Sequence, residues 1–63
     1  MSERQYRILN ELRNAGRYGM PVSTFAHVLD APQPSIRRDI QALRRLGYII
    51  SLYDSVIRLD HER

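Results

Sequence analysis

Four arginines, two glutamines and a serine fall within one stretch of thirteen residues, Gln33-Pro34-Ser35-Ile36-Arg37-Arg38-Asp39-Ile40-Gln41-Ala42-Leu43-Arg44-Arg45. An arginine fork can bond two acceptors on a guanine edge or clasp a phosphate, and a glutamine amide can bond an adenine edge in the same two-point way. The chemistry on offer is the recognition of bases and the neutralisation of phosphates. All ten basic residues of the chain are arginine and none is lysine. Arginine-rich codon usage would give the same count, so where the charge sits is more informative than its type. Formal charge is +1 over residues 1–32, +3 over 33–45 and −1 over 46–63, which gathers the net excess of +3 into the one segment. A local basic stripe of this kind is the electrostatic footprint of an element that contacts nucleic acid.

Other chemistries find little to stand on. The chain has no cysteine, and its two histidines, His27 and His61, are isolated from each other, so neither a disulfide framework nor a zinc site is expected. Neither histidine has a nucleophile or carboxylate at motif spacing, and the three glycines form no phosphate loop, so the reading is a non-enzyme without catalytic residues, metal, cofactor or small-molecule ligand. The longest apolar run, Tyr48-Ile49-Ile50, is far below the roughly 18 residues of a membrane span. Met1-Ser2-Glu3-Arg4 leads into no signal region, and a cytoplasmic protein is expected.

Sixty-three residues make one small domain, spanning 1–63, whose core must come from packing alone. Ile8, Leu9, Leu12 and Ala15 recur at helical spacing and predict a first helix over about 2–15, with Ser2 as its cap and Gly16 at its end. A loop follows. Pro21-Val22 reads as a short extended piece and Ser23 as the cap of a second helix, about 23–29, with Phe25, Ala26 and Leu29 on one side. Two prolines fix the start of a third helix over about 33–46. At about 100° per residue, Ile36, Ile40, Leu43 and Leu46 span an arc from about −80° to +40°, while Gln33, Arg44, Arg37, Gln41, Pro34, Arg45 and Arg38 span about 60° to 200°. One face is core and the facing arc is arginine and glutamine. After Gly47, two β-rich runs around Tyr53-Asp54-Ser55 predict a hairpin over about 48–59, with Ile57 and Leu59 on one face and Arg58 on the other, and Asp60 to Arg63 read as a tail.

Helix, helix, turn, basic helix and hairpin, in that order, with Phe25-Ala26 through Leu29, then Ser35-Ile36-Arg37-Arg38-Asp39-Ile40, Leu43 and Leu46-Gly47-Tyr48-Ile49-Ile50, resembles the DNA-binding domain of DeoR-type and biotin-repressor-type winged-helix regulators. The resemblance covers nearly the whole chain. It implies an α+β winged helix-turn-helix of three helices and a two-stranded wing, with the third helix as the reading element. Three departures stand out. Asp30 occupies a position usually held by glycine and Pro32 one usually held by a Ser or Thr cap. The wing tip, Tyr53-Asp54-Ser55, is short and acidic where the family often has a basic loop. The resembled regulators continue into an effector domain, whereas the sequence ends at Arg63, which suits a free-standing control protein of phage or mobile-element type.

Together these features predict sequence-specific binding of double-stranded DNA by a small transcriptional regulator. Gln33, Ser35, Arg37 and Gln41 are placed at or near base edges, with Pro34 beside them, and Arg38, Arg44 and Arg45 at phosphates. Ser23 and Thr24, at the start of the second helix, and Tyr53, at the hairpin tip, are further candidates for the DNA backbone; plain capping and a surface tyrosine are the alternatives. Asp39 lies beside the core arc and is read as structural, a partner for an arginine of the first helix. A unit this small makes few base contacts, so a homodimer or cooperative assembly on DNA is expected. Two alternatives stay open: an architectural or recombination-directionality factor that bends DNA, and a winged-helix module whose basic face meets an acidic protein.

Overall fold

The computed structural model describes residues 1–62; Arg63, counted above in the domain and the tail, lies outside the described residues. Helix α1 (Glu3–Ala15) is followed by a short 3-10 turn (Gly16–Tyr18), strand β1 (Met20–Pro21), helices α2 (Val22–Val28) and α3 (Gln33–Arg45), and strands β2 (Ile49–Tyr53) and β3 (Val56–His61). The strands form one antiparallel sheet in the order β1-β3-β2. This is the α+β arrangement of a winged helix with a C-terminal hairpin, and no helix is long and apolar enough to cross a membrane.

The core is the one the helical and strand periodicities select. Ile8, Leu9 and Leu12 of α1, Val22, Phe25 and Leu29 around α2, Ile36, Ile40 and Leu43 of α3, and Ile50 and Ile57 of the hairpin form a single buried cluster. Ser2 caps α1 in a capping box: its hydroxyl accepts from the Gln5 N–H, and the Gln5 side chain accepts from the Ser2 N–H.

The turn between α2 and α3 is closed without glycine. Asp30 adopts φ 51°, its N–H donates to the His27 carbonyl at 3.3 Å, and the Ala31 N–H reaches back to Ala26 at 3.0 Å. That is a Schellman closure, in which the short polar side chain of Asp tolerates the left-handed backbone better than most residues do. α3 ends the same way, with Gly47 at φ 107° bonded to Arg44 and Tyr48 bonded to Leu43.

Five expectations need correction. Ser23 is not the cap of α2; the helix begins one residue earlier at Val22, with Pro21 before it and no side-chain cap. Val22 is buried in the first turn, and its N–H, one of those a helix start leaves without an intrahelical partner, donates to the Ser55 carbonyl at 2.9 Å, so the hairpin anchors the helix start. The extended piece is Met20–Pro21, which pairs with Ile57 and Val56 and makes the sheet three-stranded. Pro21 is tolerated because β1 is an outer strand, where its missing N–H breaks no ladder. Leu46 is 40% exposed rather than core, because the chain reverses at Gly47 and Tyr48 packs against the cluster instead. The hairpin loop is only Asp54-Ser55, both left-handed (φ 52° and 62°) and flanked by the pair Tyr53 and Val56, while Asp60 and His61 belong to β3. A two-residue loop with two left-handed residues matches the twist of the flanking strands, which lets pairing run to the tip.

Ile40 sits at 1% exposure in the middle of the α3 contact with the core. Ile40→Ala should therefore destabilise the domain by about 2 to 5 kcal/mol, visible as a lowered thermal midpoint or loss of cooperative unfolding. An unchanged midpoint would show that the phase of α3 is misassigned.

Candidate nucleic-acid interface

α3 is held by its apolar face and by one carboxylate. Asp39, 6% exposed, accepts hydrogen bonds from Arg4 Nε, in an ion pair, and from Gln5 Nε2 at 3.3 Å, both on α1. The guanidinium of Arg4 is held above its ordinary pKa by the hydrogen bond to Asp39. A buried carboxylate needs such partners, so this contact fixes the rotation of α3 about its axis. The single acid of the helix is thereby turned inward, as its place beside the core arc requires.

What remains outside is arginine, glutamine and small polar side chains. Gln33, Pro34, Arg37, Arg38, Gln41 and Arg45 are exposed, and Ser35 and Arg44 are partly buried. Arg38 Nη2 donates to the Ser35 hydroxyl at 3.2 Å, one turn back. Arg44 differs from its neighbours: its Nε donates to the Ile50 carbonyl at 2.9 Å and ties the last turn of α3 to β2. The ion pairs among the described residues are Arg4 with Asp39, Arg13 with Glu62 and Arg58 with Asp60, and none uses an arginine of α3. Arg4, Arg13 and Arg58 are thus paired with acids, whereas Arg37, Arg38 and Arg45 of α3, like Arg7 and Arg17 elsewhere, are exposed and outside these ion pairs.

The other candidates lie on other elements. Ser23 is exposed and Thr24 partly buried in the first turn of α2, and Tyr53 is 85% exposed at the end of β2. Tyr53 and Tyr18 line a cleft of about 360 Å³ with Val56 and Arg58 on the hairpin. The tip itself carries Asp54 and no basic residue. Two features escaped the sequence reading: the Gln5 contact to Asp39 and the Arg44 contact to Ile50. For Arg44 the signal was its place at the border of the polar arc, beside the core. For Gln5 there was none beyond its position three residues after the Ser2 cap.

No family model matches the chain, and no curated protein and no solved structure matches it either.

Arg4→Ala would strand the Asp39 carboxylate in a buried site with Gln5 alone, at a cost of about 1 to 3 kcal/mol. Arg13→Ala removes a pair whose side chains are 46% and 43% exposed, and should leave the thermal midpoint nearly where it was. Equal effects of the two changes would mean that Asp39 does not anchor α3.

Proposed function

We propose that the chain binds double-stranded DNA sequence-specifically, as a small transcriptional regulator does, with α3 in the major groove. The observation that carries this reading is the unneutralised face of α3, where four arginines and two glutamines surround no acid. Its width suits the groove, since an α-helix about 10 to 12 Å across with side chains fits a groove about 12 Å wide. In this reading Arg37 and Gln41, with Gln33 and Ser35 near the N-terminal turn, meet base edges, and Arg38 and Arg45 meet phosphates. The acidic hairpin tip contributes little. Two copies on a repeated site supply the specificity that one short helix lacks.

Selecting bound sites from random duplexes, followed by titration at two salt concentrations, tests the proposal directly. Arg37→Ala should weaken the selected site by about 1 to 3 kcal/mol and relax preference at one base pair. Arg45→Ala should weaken all duplexes alike and reduce the slope of log affinity against log salt by up to about 0.9. Asp54→Ala should leave binding unchanged or slightly tighter. If no duplex is enriched and the arginine changes are silent, the basic face serves an acidic protein partner instead. Gel phasing of the selected site separates a regulator from a factor that bends DNA.

A further inference from the structure

The sheet has two outer strands, and only one of them is protected in the usual ways. Exposed edges are commonly blunted by shortness, proline, charge or a bulge. β1 is two residues long and contains Pro21. β2 is five residues of Ile49-Ile50-Ser51-Leu52-Tyr53, without a charge, a proline or a glycine. The irregularity between Ile49 and Ile50 falls on β3, where His61 and Leu59 are the paired residues and Asp60 is skipped, so β2 runs on unbroken.

The register says which backbone groups of β2 are free. Tyr53 and Val56 flank a two-residue loop and form the bonded pair that closes it, so Tyr53 and Ser51 direct their backbone groups to β3. Ile50 and Leu52 direct theirs outward. One of these outward groups has a partner, and it is Arg44 Nε on the Ile50 carbonyl. An arginine of α3 is therefore the only side chain among the described residues that hydrogen-bonds this edge.

We propose that the β2 edge is a self-association edge, on which a second copy of the chain adds its own β2 antiparallel, and that Arg44 keeps it closed until its guanidinium is drawn elsewhere. The strand is self-complementary about Ser51. A two-fold axis there overlaps all five residues of both strands, sets the outward groups of Ile50 against those of Leu52 in the other copy, and brings the two Ser51 residues face to face. It also places Ile49 opposite Tyr53 of the second copy, twice. Those are two of the large hydrophobic side chains left bare, at 55% and 85% exposure, and a β-branched residue opposite an aromatic is a favourable cross-strand pair. Leu52 of the second copy needs the same outward side of the Ile50 carbonyl that Arg44 holds, so the guanidinium competes with the pairing. A phosphate is the stronger acceptor for a guanidinium, so contact with DNA would release the edge at the moment two copies lie side by side. This deepens the DNA-binding reading by naming how two copies meet, yet its test contains no DNA, so either can fail alone.

The test is sedimentation equilibrium of variants in the absence of nucleic acid, with far-UV circular dichroism to confirm folding. The wild-type chain should sediment as a monomer. Arg44→Met keeps the apolar stem and removes the donor, and should shift the mass toward twice that of the chain. Adding Ser51→Lys or Ser51→Glu to Arg44→Met should restore the monomer, because like charges then meet across the axis, and an equimolar mixture of the two double variants should pair again. If Arg44→Met does not fold, Arg44→Ser, too short to reach Ile50, carries the same expectation. A latch-free variant that stays monomeric at every concentration overturns the proposal. So does a dimer that ignores the charge at Ser51.

Discussion

The Asp39 carboxylate fixes how α3 meets α1. A carboxylate buried without partners would cost more than a domain of this size can bear, so the position of α3 is confined to those rotations that keep Asp39 on Arg4 and Gln5. Gln5 takes part twice, accepting from the Ser2 N–H through its oxygen and donating to Asp39 through its nitrogen. The cap of α1 and the docking of α3 therefore share one amide. Once Asp39 faces inward, no acid of α3 is left to screen Arg37, Arg38 or Arg45, and the basic face follows from the packing contact.

Short polar links of the same kind sit at the other joints. The Ser55 carbonyl receives the Val22 N–H and so ties the hairpin turn to the start of α2, and Arg44 ties the end of α3 to β2. Arg13 and Glu62 join α1 to the residue after β3, and the guanidinium holds the Glu62 carboxyl below its usual range. That last link is formed while Glu62 is ionised, so it is present above the ordinary carboxylate range and lost as pH falls through the lowered pKa. A chain of this length buries only about 60% of the surface its unfolded form exposes. With so small a core, orientation between elements draws on the more buried of these contacts, while the exposed Arg13–Glu62 pair adds little.

What was legible in the sequence is what periodicity governs. The helical phase of Ile8, Leu9 and Leu12 and of Ile36, Ile40 and Leu43, the left-handed turn at Asp30 and the inward face of Ile57 all follow from local spacing and backbone sterics. The misreadings share a different origin, a partner distant in sequence. Ser23 resembles a cap, but the Ser55 carbonyl, thirty-odd residues away, takes the Val22 N–H and the helix begins one residue earlier. Leu46 continues the apolar arc of α3, but the chain reverses at Gly47 and Tyr48 covers the position. Asp60 and His61 look like a polar tail because the strand they extend is set by pairing with Ile49, not by their own β propensity. In the candidate interface the exposed residues were readable from their angle on the helix, whereas Arg44 changes role because a carbonyl of β2 lies within its reach.

Arginine thus does three different things in one small chain, and position alone assigns them. Arg4, Arg13 and Arg58 spend their charge on acids; Arg44 gives its Nε to a carbonyl; Arg37, Arg38 and Arg45, like Arg7 and Arg17 outside α3, keep theirs for solvent. The outcome is a polarised molecule. The segment 33–45 carries +3 and the segment 46–63 carries −1, with Asp54 at the hairpin tip, so α3 is the positive pole of the domain and the hairpin the negative one. On the DNA-binding reading this polarity selects an approach. A polyanion attracts the helix and is repelled by the tip, which orients the domain before any base is touched and favours α3 over the wing as the first contact.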